Sequence, residues 1–127
     1  MSDILKIDFQ ILGGAILPEV ITSRLGLVPD VAMLAGGRDS VRKLPRQNTW
    51  ALSSSVDSDD VLEHWNELGE KLVSVKDQIR DISRDCKIRI TIAISSKGRI
   101  PSIIIPWDMA EFCGYVQADI DIDHLQW

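Results

Sequence analysis

Lys87-Ile88-Arg89-Ile90-Thr91-Ile92-Ala93-Ile94-Ser95 sets an isoleucine at every second position, with Lys, Arg, Thr and Ser among the residues between. Successive side chains of a strand point to opposite faces, so this segment has one oily side and one wet side. Residues 4–12 repeat the pattern, with Leu5, Ile7, Phe9 and Ile11 on one face and Lys6, Asp8 and Gln10 on the other. The closing segment alternates strictly: Ala118, Ile120 and Ile122 against Asp119, Asp121 and Asp123. Thr49 to Ser53, carrying Trp50 and Leu52, reads as another strand, and Val31 to Ala35 as a short one. Ile100 to Ile105 is read as a further strand, in which Pro101 cannot donate to a ladder and marks a strand start or an edge.

Elsewhere the period changes. Pro18 opens a short helix with Ile21 and Leu25 inward, stopped by Gly26 and Pro29. Further on, Val61, Trp65, Leu68, Leu72, Val75, Ile79, Ile82 and Cys86 recur at steps of four and three, which draws one continuous apolar stripe. Asp57 is the expected cap, with Asp60 three residues later and Asp59 and Glu63 favouring a helix N-terminus. A single helix from Ser58 to Cys86 would be roughly 43 Å long, against about 30 Å for the diameter of a small domain. A break is therefore expected near Leu72 to Ser74, with Ser74 and Asp77 as a capping-type pair. A coiled coil is the competing reading of the stripe. Pro106 opens a third helix containing Met109, Phe112 and Cys113, and Gly114 is expected to end it. The order β-α-β-β-α-β-β-α-β begins with the six elements of a split βαβ unit. The expected fold is α+β: a ferredoxin-like antiparallel sheet with helices packed on one face, extended by a further strand-helix-strand.

A chain of 127 residues, 45% hydrophobic and 26% charged, is expected to form a single domain over 1–127 with one core. Its longest apolar runs, such as Ile103-Ile104-Ile105, are too short to span a membrane. Met1-Ser2-Asp3 begins neither a basic nor an apolar leader region. Cys86 and Cys113 are too few for a disulfide framework and fall in apolar patterns, so buried free thiols in a reducing, cytoplasmic compartment are expected, with a bridge between the two left open. A net charge of −5 argues against nucleic acid, whose phosphates call for a basic surface.

Catalytic patterns are sparse. His64 lies beside Trp65 in the amphipathic helix but off its apolar stripe, and is read as solvent-facing; His124 lies at the end of the last strand. Neither belongs to a nucleophile signature. Asp119, Asp121 and Asp123 project from one strand face with neighbours about 6.6 Å apart. Two of them could hold a hard cation such as Mg²⁺, but a solvated face paired across the sheet with Lys87 and Arg89 is the stronger reading, so no metal or other cofactor is assigned. The same three aspartates are the candidate contact face for a basic protein partner. Between Gly36 and Arg46, Arg38, Arg42, Lys43 and Arg46 stand against the single acid Asp39. Glycines there would let backbone N–H groups converge on an anion, so this loop is a candidate docking or phosphometabolite site, though it lacks the Gly-Lys-Ser/Thr ending of a P-loop. Trp50, Trp65 and Trp107 are expected in or at the edge of the core, and Leu125 with Trp127 forms an apolar pair that must fold back or meet a partner.

Taken in order, the "LPEVITSRLGLVPD" helix, the Gly-Gly-Arg loop leading to "TWALSSSVDS", the "LEHWNELGEKL" helix and the closing Gly-x-x-x-Ala-Asp-Ile-Asp-Ile strand at Gly114 to Ile122 resemble the bacterial family called domain of unknown function 4279. The resemblance spans nearly the whole chain and carries no catalytic residues. It implies a non-enzymatic protein, most concretely an immunity-type protein that neutralises a toxin by direct binding. A small-molecule or phosphometabolite-binding domain using the basic loop is the alternative.

Overall fold

The computed structural model describes residues 4–100 and 102–125. In chain order its elements are β1 (Ile4–Leu12), α1 (Pro18–Leu25), β2 (Val31–Met33), β3 (Thr49–Ser53), α2 (Val61–Ser74), α3 (Lys76–Ile82), β4 (Lys87–Ser95), α4 (Trp107–Val116) and β5 (Ala118–Leu125). The two longest strands, β1 and β4, pair antiparallel along their full length, from Ile4 opposite Ser95 to Leu12 opposite Lys87. β3 pairs antiparallel with the other side of β1, and β2 with β3. β5 joins the far side of β4 in parallel. The sheet order is β2-β3-β1-β4-β5. The first four strands with their helices are the ferredoxin-like unit expected from the alternation; α4 and β5 extend it.

One face of the sheet carries the core. Ile7, Phe9 and Ile11 of β1 and Ile88, Ile90, Ile92 and Ile94 of β4 are buried in one cluster with Ile21, Leu68, Leu72, Ile79, Ile82 and Met109 from the helices. Each such side chain contributes roughly 1.5–3 kcal/mol relative to exposure. Phe9 sits edge-on to Trp50 at 6.2 Å. Phe112 of α4 lies 6.4 Å from Phe9 and 5.3 Å from Trp65 of α2, so one aromatic group ties the sheet to two helices. Trp50 Nε1 donates to Thr22 Oγ1 of α1 at 3.0 Å, satisfying the polar atom of a buried ring. The opposite face presents Lys6, Asp8, Gln10, Arg89 and the β5 aspartates.

Several local expectations are corrected. Asp60, not Asp57, caps α2, its side chain accepting from the Leu62 N–H at 3.1 Å. The helical stripe breaks at Val75 (φ −121°, ψ 23°). The Ser74–Asp77 cap does not form: Ser74 Oγ donates back to the Lys71 carbonyl, and the Asp77 carboxylate accepts from the Tyr115 hydroxyl. α4 runs through Gly114 to Val116 and is ended by Gln117 in the left-handed region (φ 60°), which turns the chain directly into β5. Residues 102–105 form no strand; Pro101 lies outside the described residues. Ile103 and Ile105 pack on the core while Ile104 points outward, so the alternation correctly reports which side is buried. A ladder also needs a neighbour, and the outer edge of β4 is already taken by β5. Trp107, expected at the core edge, is 77% exposed at the start of α4. Trp127 lies outside the described residues.

Gly69 in α2 shows how tightly the aromatic group is packed. A Cβ there would come within 2.8 Å of Trp65 Cε2, and Trp65 is held against Phe112. Helix propensity alone would make Gly69→Ala stabilising by about 1 kcal/mol. Overpacking instead makes it destabilising by about 1–3 kcal/mol, and urea denaturation reads the sign directly.

Candidate functional site

The acidic candidate lies on β5, at one margin of the sheet. Its parallel register with β4 sets Asp119 beside Arg89, Asp121 beside Thr91 and Asp123 beside Ala93, all on the face away from the helices. Lys87 Nζ reaches Asp119 Oδ2 at 2.5 Å. That hydrogen bond first, the Lys87 charge second and Arg89 more weakly hold the Asp119 carboxyl below its ordinary value. Thr91 Oγ1 lies 3.2 Å from Asp121 Oδ2 and 3.4 Å from Gln10 Oε1, so a single hydroxyl proton serves two acceptors. Asp123 has neither a hydrogen-bond nor an ion-pair partner among the described residues. On β1, Asp8 accepts from Ser53 Oγ at 2.5 Å and lies 3.5 Å from Lys6 Nζ. A shallow hollow opens over Arg89, Asp119, Ile120 and Asp121. The three β5 carboxylates stand in a line along the strand, and no group of three or more His, Cys, Asp or Glu side chains among the described residues is placed to hold one metal ion.

The basic candidate lies at the other margin. Residues 36–44 fold on themselves: Gly36 N–H donates to Pro45 O at 2.8 Å, Arg38 and Asp39 N–H to Leu44 O at 3.0 Å, and Leu44 N–H to Asp39 O at 3.0 Å. Gly36 (φ 77°) and Lys43 (φ 61°) supply the two left-handed residues this fold-back uses. Asp39 Oδ1 then accepts the N–H groups of both Val41 and Arg42 at 3.1 Å, and Arg42 Nε lies 3.5 Å from Asp39 Oδ2. The amides expected to converge on an anion are thus already engaged, those of Gly36, Gly37, Arg38 and Asp39 by backbone carbonyls and those of Val41 and Arg42 by the loop's own carboxylate. Arg38, Arg42, Lys43 and Arg46 remain exposed. Since β2 and β5 are the two end strands of five, about 19 Å of sheet at 4.8 Å per strand separates the acidic and basic candidates. They do not form one site.

His64 is not solvent-facing. It is 1% exposed, and both ring nitrogens are engaged: Nδ1 lies 2.6 Å from Ser54 Oγ and Nε2 lies 2.7 Å from the Ser58 carbonyl. A carbonyl only accepts, so in the neutral ring Nε2 carries the proton and Ser54 Oγ–H donates to Nδ1. Ser54 Oγ in turn accepts the Ile7 N–H at 2.9 Å, and Ser54 N–H donates to Ile7 O at 2.8 Å. This chain of bonds pins the segment between β3 and α2 to the central strand. A serine and a histidine in contact suggest nucleophilic chemistry, but this hydroxyl is buried and engaged as both donor and acceptor. The signal was in the periodicity: Val61 three residues before and Leu68 four after place position 64 on the buried arc. Nearby, Glu67 accepts from Ser55 N–H at 2.6 Å and Ser55 Oγ at 2.7 Å, which lowers its carboxyl from the ordinary range, the hydroxyl bond being the larger cause.

Two grooves had no sequence signal. One, of about 270 Å³, lies between the start of α1 and β2, lined by Leu17, Pro18, Glu19, Ala32 and Leu34. The other, of about 350 Å³, runs between α2–α3 and α4 past Trp65, Lys76, Asp108 and Tyr115. Lys76 and Arg80 stack on the Tyr115 ring at 4.9 and 4.7 Å from its centroid. Cys86 and Cys113 are unbridged and buried. Burial raises both thiols, Cys113 to about 11, which keeps them protonated and unreactive at neutral pH.

The family model described as Domain of unknown function (DUF4279) matches residues 4–127. No curated protein and no solved structure matches the chain. The chain belongs to the DUF4279 family, as the order of its motifs implied. No helix among the described residues is long and apolar enough to cross a membrane.

Two outcomes test this geometry. Ser54→Ala strands the Ile7 N–H and leaves His64 Nδ1 without its donor, and should lower stability by about 1–3 kcal/mol in denaturant titration. Lys87→Met should raise the Asp119 carboxyl toward its ordinary 3.8, followed by NMR titration. Because that pKa is lower folded than unfolded, the pair's contribution is present above the ordinary value and fades as pH falls through the folded one.

Proposed function

We propose that this DUF4279 chain works by binding, as an immunity-type protein that neutralises a basic partner, most concretely a toxin domain, through Asp119, Asp121 and Asp123. The observation that carries this reading is the unmatched charge of the row. Asp119 is paired with Lys87, whereas Asp121 and Asp123 are exposed and have no cation within ion-pair distance among the described residues. A charged row already matched within its own sheet offers a partner little; an unmatched row offers attraction and register. The net charge of −5 adds longer-range steering toward a basic surface. The absence of catalytic residues from the family resemblance agrees with a binding role. For the alternative, an anion held by the basic loop, Arg38, Lys43 and Arg46 lack a carboxylate within 4.0 Å among the described residues, but the loop's closed amides weigh against it.

Coexpression with a neighbouring toxin-like gene should give a stable complex that suppresses the toxin's effect. Asp121→Asn/Asp123→Asn should weaken that complex by about ten-fold, equivalent to about 1.4 kcal/mol, with the loss falling mainly on association and shrinking at high salt. A complex indifferent to both the substitutions and salt would remove this reading.

A further inference from the structure

Charge aside, β5 leaves one side of its backbone without a partner. It is the last strand of the sheet and bonds to β4 along one side only. A strand sends the N–H and C=O of successive residues to alternate sides, so every second residue of Ala118–Leu125 directs both groups outward. No backbone hydrogen bond reaches those outward groups among the described residues. At the opposite margin β2 has only 3 residues, whereas β5 has 8. A long open edge is a template for another strand, and short edges are a common way of preventing that pairing.

We propose that β5 is a strand-addition site: an extended segment of a basic partner protein pairs with Ala118–Leu125 and becomes a sixth strand of the sheet. Its pattern follows from the two faces of β5. Lys or Arg at alternate positions lies over Asp121 and Asp123 on the open face, and apolar residues between them lie over Ile120 and Ile122 on the helix side. Ile122 is 43% exposed, so an incoming apolar side chain has surface to cover. The inference rests on the binding reading above and adds how the partner is held: backbone bonds supply affinity, and alternate side chains supply selection.

A second copy of the chain does not fit. In an antiparallel pairing of two β5 strands with helices on the same side, directly opposite residues share a face, so aspartate meets aspartate, and like charges directly opposite destabilise a sheet. Turning one copy over instead sets its aspartates beside the isoleucines of the other copy and its isoleucines beside the other's aspartates, so neither face matches across the seam. The same alternation that keeps copies apart selects a strand of opposite charge.

The test titrates isotope-labelled protein with three synthetic peptides: alternating Lys-Val of the length of β5, the same residues in two blocks, and the alternating peptide with every backbone amide methylated. The alternating peptide should slow hydrogen exchange at the outward amides of β5 and bind about ten-fold more tightly than either control. Asp121→Asn/Asp123→Asn, checked for an intact amide spectrum, should weaken it by up to about five-fold per lost charge pair. Equal binding of all three peptides, no binding of the alternating one, or binding mapped away from β5 would overturn strand addition. Concentration-dependent protection of the same amides without peptide would also overturn it, assigning the edge to a second copy. A neutralised toxin whose complex leaves the β5 amides unprotected would sink strand addition and leave the immunity reading standing.

Discussion

The full-length ladder between Ile4–Leu12 and Lys87–Ser95 is the constraint from which the other elements take their places. Because side chains alternate, a slip of one residue would turn Ile7, Phe9 and Ile11 to water and Lys6 and Asp8 into the core. The isoleucines of both strands therefore fix register and sidedness together. Once one face is oily, the helices must cover it, and their apolar stripe is sized to do so: Leu68, Leu72, Ile79 and Ile82 all enter the same cluster. The wet face is left with the polar side chains on which the functional reading depends. Core and candidate surface are two consequences of one alternation.

That dependence explains what could be read from the chain beforehand. Period two placed β1, β3, β4 and β5, and the overlong helical stripe announced a break that falls at Val75. Where reading failed, the missing information was tertiary. Residues 102–105 alternate like a strand, yet strand formation depends on a free neighbouring edge, and α4 carries the chain back so that β5 takes it. His64 reads as outward because it lies off the apolar stripe, but Ser54, ten residues earlier, and the Ser58 carbonyl satisfy both of its nitrogens and let it be buried. Asp57 and Asp60 are equivalent as caps on paper; only the path of the preceding loop chooses between them. Trp107 shows the limit of size as a guide to burial, since a large ring at the first turn of a helix can still point outward.

The candidate surfaces were legible as residue sets and not as geometry. The aspartates of β5 were placed on one face by sequence, but their unequal pairing, with Lys87 serving only Asp119, required coordinates. The basic loop was legible as a charge excess, while its self-closure through Asp39 was not. A carboxylate in a basic loop thus has two opposite meanings. It tempers the field seen from outside, and it occupies the donors a ligand would need.

The rows of the sheet have one more implication. Ile4, Ser95 and Leu125 lie side by side, which puts both ends of the described chain on the β5 half of one end of the sheet, two strand widths or about 10 Å apart. The connection from β2 to β3 emerges at the diagonal corner, since Thr49 is level with Leu12 and Lys87. Tethers attached at either end would therefore hang from a common point, and the domain would behave as a pendant: a fusion or immobilised support there leaves the Arg38–Arg46 loop facing outward.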